Sequence, residues 1–113
     1  ERTSFGKPLA HHQALQFRLS DMATKIEMAR VMLHHVAALR DADMPCTKEA
    51  CMIKLYASEM AEEVIREAMQ VLGGYGYLEE YPLARIYADA RVCSIYEGTS
   101  DIQRLVIGRE ILK

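Results

Sequence analysis

A single acidic residue between two helical segments is the side chain best suited to chemistry here. Glu97 lies in the run Ser94-Ile95-Tyr96-Glu97-Gly98-Thr99-Ser100, directly before a glycine and a pair of hydroxyl residues. Its neighbours Ile95 and Tyr96 are apolar, which predicts a carboxylate held beside buried surface. Desolvation raises a carboxyl pKa and turns the group into a competent base toward a weakly acidic C–H. The helix expected just past it would offer free backbone N–H groups to an anion or to the polar edge of a cofactor. The same residues also suit a solvated loop carboxylate with no chemical role.

A second candidate is Gly73-Gly74-Tyr75-Gly76. Bare backbone lets a flat or phosphorylated ligand approach closely, and it equally serves as a helix end followed by a tight loop. The stretch follows a helical segment and no βαβ unit is present, so a Rossmann or P-loop nucleotide site is excluded by context. The four histidines form two adjacent pairs, His11-His12 and His34-His35. Neighbours on a helix point about 100° apart, so neither pair can close a metal site alone, and no metal centre is expected. Cys46, Cys51 and Cys93 contain no Cys-x-x-Cys spacing and read as small core residues or inert thiols.

The elements that must position these residues are helical. Leu15, Leu19, Met22, Ile26, Ala29, Leu33 and Val36 recur at alternating steps of four and three, which predicts a helix over about residues 9–41. At ~1.5 Å per residue it would be roughly 50 Å long, more than one small core needs, so it is expected to pack against something beyond this chain. Asp43-Met44-Pro45-Cys46 ends it, and Thr47 is the expected N-cap of a second helix with Glu49 in its first turn. That helix carries a broad apolar face suited to two neighbours and stops at Gly73-Gly74. Pro82 opens a third helix, and Ser100 with Gln103 has capping-box spacing for a fourth. No segment alternates long enough to form a strand. The expected fold is all-α, a four-helix antiparallel up-down bundle forming one domain over residues 1–113.

Composition narrows the function classes. The 113 residues are 50% hydrophobic, enough for a real core, with 14 Lys+Arg against 16 Asp+Glu. A net charge of −2 argues against a nucleic-acid partner, which would need a concentrated basic face. No apolar run is long enough to span a bilayer. Three cysteines are an odd number, so a disulfide scaffold is not expected and a reducing compartment is. The chain begins at Glu1 without an initiator Met or signal pattern, and is expected to be part of a longer protein carrying part of a site.

Tyr96-Glu97-Gly98-Thr99-Ser100-Asp101-Ile102-Gln103-Arg104 resembles the signature of the flavin-dependent acyl-CoA dehydrogenases. Arg2-Thr3-Ser4-Phe5-Gly6-Lys7-Pro8-Leu9 resembles the entry to that family's C-terminal helical domain. His12-Gln13, Gln70 to Gly76, and Asp89-Ala90-Arg91 match in the same order, so the likeness covers the whole chain. The resemblance implies that Glu97 removes the α-proton of an acyl-CoA thioester while the β-hydrogen leaves as hydride to FAD, giving the trans-2-enoyl-CoA. It implies a thioester oxygen bound by the backbone N–H of this same Glu and by a flavin hydroxyl, with Gly98 and Tyr96 at the substrate. Thr99, Ser100 and Asp101 would lie along the flavin. Arg2, Ser4, Phe5, Gln13, Gln70, Gly73 and Gly74 would hold the pyrophosphate and adenosine end of the FAD of a neighbouring subunit.

The resemblance further implies a homo-oligomer, a dimer of dimers in the parent enzyme, with an electron-transfer flavoprotein as acceptor. It places the parent in the bacterial cytoplasm or the mitochondrial matrix and not among secreted proteins. Members of the family carry an N-terminal helical domain and a middle β domain that are absent from this chain. The isolated chain is therefore expected to bind FAD weakly or not at all and to turn over no substrate. Some members place the base on an earlier helix. A helical assembly module without catalysis, or a relative with oxidase chemistry, would share these motifs.

Overall fold

The computed structural model describes residues 2–78 and 80–113; Glu1 and the side chain of Tyr75 fall outside what is described. The chain opens with a two-stranded antiparallel ribbon, β1 (Thr3–Ser4) and β2 (Lys7–Pro8), with Ser4 opposite Lys7. These strands, two residues each, were not expected from the sequence. Phe5 and Gly6 turn the chain between them with φ of 50° and 80°, both in the left-handed region that two-residue hairpins favour.

The first helix starts later than its apolar spacing suggests. A 3₁₀ turn at Leu9–His11 precedes α1, which runs Gln13–Asp41. His12 breaks the two with extended backbone, φ −83° and ψ 126°. Its Nε2 lies 2.8 Å from the Ser4 carbonyl and its ring meets Phe5 edge-on at 6.4 Å, contacts that tie it to the ribbon. α1 ends where Asp43 takes φ 54° and the Met44 N–H donates to the Leu39 carbonyl at 2.9 Å.

α2 (Thr47–Leu72) runs antiparallel to α1 and is the hub: α1, a one-turn α3 (Gly74–Tyr77), α4 (Pro82–Arg91) and α5 (Ser100–Ile111) all pack on it. Arg18 pairs with Glu67 at 3.3 Å and Lys25 pairs with Glu63, so α1 rises as α2 descends. α4 lies against the later half of α2, with Tyr87 donating to Glu62 and Arg91 paired with it. α5 lies against the earlier half, where Arg104 pairs with Glu59. The expected helices are all present, and the all-α architecture stands.

The seam between α1 and α2 is narrower than the apolar stripe. The α1 side chains that are not exposed are Leu15, Met22, Lys25, Ala29, Met32, Val36 and Leu39. Their steps of seven, three and four mark a coiled-coil-like contact with one neighbour. Leu19, Ile26 and Leu33, counted in the expected stripe, stay outside it and are exposed. The core proper joins Ala29, Val36 and Ile53, with Met32, Ala50, Ala57 and Met60 packed around them.

Two expected caps shift. Thr47 is the first helical residue of α2, and the boundary falls on Cys46, whose carbonyl accepts from the Ala50 N–H at 2.8 Å. Thr99, not Ser100, caps α5: its hydroxyl accepts from the Ile102 N–H at 3.3 Å. Gln103, the other half of the expected capping box, turns elsewhere.

Candidate functional site

Glu97 stands in the loop between a 3₁₀ turn (Val92–Ser94) and α5. Its φ is 54°, a conformation that L-residues other than Gly, Asn and Asp seldom take, and Gly98 follows at 95°. The left-handed Glu97 costs energy where glycine would not, and the loop offsets that cost with hydrogen bonds. Lys54 Nζ on α2 donates to the Gly98 carbonyl at 2.7 Å. Gln103 Nε2 on α5 donates to the same carbonyl at 3.2 Å and to that of Glu97 at 3.4 Å. Gln103 is one of the few buried polar residues, so the loop is fastened from the interior.

With both carbonyls bound inward, the Glu97 side chain is exposed. The expected desolvated carboxylate is thus not made by this chain: none of its described residues covers Glu97. Among the described residues the Glu97 N–H donates to no backbone carbonyl. The same residue therefore offers a carboxylate and an unengaged N–H. Tyr96 is also half-exposed, and its hydroxyl lies 3.5 Å from Cys93 Sγ. That hydrogen bond, then the charge of Cys93, then burial and Glu97, push the Tyr96 phenol up from its ordinary value, so it stays protonated.

Beside this loop an open groove of about 540 Å³ runs between α2 and the start of α5. Thr99, Ser100 and Asp101 line it together with Glu59, Glu62, Glu63, Arg66 and Arg91. Ser100 Oγ is buried with no hydrogen-bond partner among the described residues. A buried hydroxyl of this kind costs free energy unless something completes it. Carboxylates outnumber cations in this groove, so it suits hydroxyl and ring-edge groups rather than a pyrophosphate.

A second groove, about 550 Å³, lies farther along α2 and is lined by Arg66, Met69, Gln70, Gly73, Gly74, Tyr77 and Tyr87. Arg66 borders both grooves. Among the described residues the one charged group lining it is a cation, and Arg2 stands close by, its Nη1 donating to the Leu72 carbonyl at 3.1 Å. A Cβ placed on Gly74 would meet nothing within 4 Å, so its backbone faces open space. Gly76 differs. A Cβ there would come within 2.5 Å of the Met69 carbonyl oxygen, so this glycine serves the packing of α3 on α2 and not a ligand.

The structure thus separates the predicted residues. The loop carrying Tyr96, Glu97 and Gly98 is held at Lys54 of α2 and Thr99, Ser100 and Asp101 face Glu59 to Arg66, while Arg2, Gln70, Gly73 and Gly74 gather at its C-terminal end. Eighteen residues of helix lie between Lys54 and Gly73, a rise of about 28 Å. Ser4, Phe5 and Gln13 sit at the ribbon and the start of α1, where Phe5 is 96% exposed. Sequence reasoning missed Lys54, and named His12 in a matching motif without giving it a role. The signal for Lys54 was a lone cation following Ile53 in the apolar part of α2; His12 carried none that spacing could reveal.

An all-helical domain of this shape, with a motif loop clamped to its central helix, defines a class. The family described as "Acyl-CoA dehydrogenase, C-terminal domain" matches residues 1–112, and the chain belongs to it. The mitochondrial short-chain specific acyl-CoA dehydrogenase of Bos taurus is 53% identical over 112 residues, covering 99% of this chain and 27% of that protein. Caffeyl-CoA reductase-Etf complex subunit CarC of Acetobacterium woodii is 49% identical over 113 residues, covering 100% of this chain and 30% of that protein. Among solved structures, butyryl-CoA dehydrogenase from Megasphaera elsdenii superposes with a TM-score of 0.97 at 43% identity, over 100% of this chain and 30% of that one. The chain spans about 30% of the length of such relatives. Among the described residues no helix is long and apolar enough to cross a membrane, and no cluster could hold a metal ion.

Proposed function

We propose that this domain supplies the catalytic base and part of the cofactor site of an FAD-dependent acyl-CoA dehydrogenase. The observation that carries the reading is Glu97 itself: a carboxylate and an unengaged backbone N–H on one residue whose backbone is fastened from below. The carboxylate accepts the α-proton of an acyl-CoA thioester. The electron pair of that C–H bond becomes the new Cα–Cβ double bond, and the β-hydrogen departs with its own pair. FAD, when bound, supplies the acceptor for that hydride.

The residues here fit the group by location. The unpartnered Ser100 hydroxyl and the neighbouring Thr99 and Asp101 face the groove where a flavin's polar edge would lie. Arg2, Gln70, Gly73 and Gly74, with Ser4, Phe5 and Gln13 near the N-terminus, would hold a pyrophosphate and adenosine, a guanidinium and bare backbone being suited to phosphate. The two sets line separate grooves along α2, which suits FAD molecules from two active sites and hence a homo-oligomer in which subunits share the cofactor. Exposed Phe17, Met28, Val31 and Leu33 on α1 supply apolar surface for such an assembly. The Glu97 N–H would bind the thioester oxygen as negative charge develops there. Gly98 and Tyr96 would border the acyl group.

The Etf named in the Acetobacterium woodii relative supports an electron-transfer flavoprotein as partner. The same relative is a reductase, which favours a second reading in which the protein runs the reaction backward and Glu97 returns the proton to the α-carbon. A bacterial cytoplasm or mitochondrial matrix suits either direction. In the full-length protein, anaerobic mixing with acyl-CoA is expected to bleach the flavin, and Glu97→Gln to abolish bleaching while FAD stays bound. Bleaching of Glu97→Gln at the parental rate would place the base elsewhere.

A further inference from the structure

Lys54 and Gln103 have no part in the site as predicted from the sequence, yet they hold the one loop on which it depends. Both are donors reaching out of neighbouring helices, and both end on the carbonyls that flank the Glu97–Gly98 turn. The Gly98 carbonyl takes two donors, one of them an ammonium at 2.7 Å. Charge-assisted hydrogen bonds are the stronger kind, and these anchor a peptide that would otherwise relax from the left-handed region. A Cβ on Gly98 would meet Gln103 Nε2 at 2.5 Å, so the amide packs directly under the turn.

We infer that Lys54 and Gln103 are positioning residues for proton abstraction, acting through the backbone of Glu97 and Gly98 without touching substrate. The inference rests on Glu97 being the base. Holding these two carbonyls fixes the backbone conformation of Glu97, and with it the directions in which its side chain and its N–H leave the chain. Lys54 reaches the loop from α2, the hub of the fold, so the register of α2 against the loop sets where the carboxylate stands. Displacement of a reacting group by about 1 Å costs on the order of 10²-fold in rate.

The test uses full-length protein with FAD bound. Lys54→Met is expected to slow flavin reduction by acyl-CoA on the order of 10²-fold with KM and flavin content near parental values. Lys54→Arg, which keeps a cation at the carbonyl, should recover part of the rate. In the background of Glu97→Asp, whose carboxylate is already displaced by one methylene, the Lys54 change should cost less than it does beside Glu97, because its effect passes through that side chain. A parental rate in Lys54→Met, or an undiminished loss in the Glu97→Asp background, would overturn the inference. If Lys54→Met does not accumulate, Gln103→Met removes the second donor at similar volume and carries the same expectations. The base assignment fails separately, through activity retained in Glu97→Gln alone.

Discussion

Gly74 and Gly76 stand two residues apart in one motif, yet the structure packs Gly76 against α2 and leaves Gly74 open, and substituting each with alanine separates fold from proposed ligand. At Gly76 the new Cβ would sit 2.5 Å from the Met69 carbonyl oxygen and 2.8 Å from its Cα. Both neighbours are backbone of α2, so α3 must lift by roughly half an ångström or more. Overpacking of this kind costs about 1–3 kcal/mol. In a full-length protein about three times as long as this chain, that is on the order of 1–4 °C in melting temperature. At Gly74 the Cβ would enter open space, and the residue is helical with no positive φ. Alanine there should be neutral or stabilise by about 0.5 kcal/mol, by restricting the unfolded chain. If the bare Gly74 backbone is where a cofactor phosphate approaches, the same methyl obstructs binding. Thermal melts and flavin content of the purified full-length variants read the two effects. Stripped of FAD, Gly76→Ala should melt early and Gly74→Ala should melt as the parental apoprotein does, while on reloading Gly74→Ala should take up less FAD. Equal melting of the two variants would refute the packing argument, and full FAD occupancy in Gly74→Ala would refute the cofactor argument.

Ile53→Ala empties the centre of the small core and should cost about 2–5 kcal/mol, measured by denaturant unfolding. Thr99→Ala removes the cap of α5 and should cost about 1 kcal/mol, with Thr99→Ser restoring it in the same assay. The Lys25–Glu63 pair predicts a pH window. The hydrogen bond to Lys25 lowers the Glu63 pKa below its ordinary 4.5, and the one to Glu63 raises Lys25 above 10.5. The pair therefore stabilises between those values and is lost as Glu63 protonates in acid or Lys25 deprotonates in strong base. Lys25→Met should lower the melting temperature slightly near pH 7, and the difference should fade as the pH falls through the lowered Glu63 pKa.

Much of this was legible because helices write a period into the sequence. The limits of α2, the proline start of α4 and the glycine end at Gly73 follow from local chemistry that no distant contact overrides. The width of the α1 seam does not. Leu19, Ile26 and Leu33 are as apolar as Met22, Ala29 and Val36, and only the presence of a single neighbour decides which set is covered. The start of α1 depends on His12 reaching the Ser4 carbonyl, a contact across eight residues that periodicity cannot register. Thr99 and Ser100 are both good caps, and the choice turns on the backbone of the preceding Gly98. At the site, the identity of Glu97 was readable from its motif, while its exposure was not: flanking apolar residues predict burial only if they face the core, and Ile95 and Tyr96 are themselves half-exposed.

Exchange of the α-proton isolates the step on which the functional reading depends. The full-length protein, incubated in D₂O with an acyl-CoA analogue whose β-carbon cannot give up hydride, should carry deuterium into the α-position, and Glu97→Gln should carry in none. Exchange in Glu97→Gln at the parental rate would contradict the assignment of the α-proton to this carboxylate.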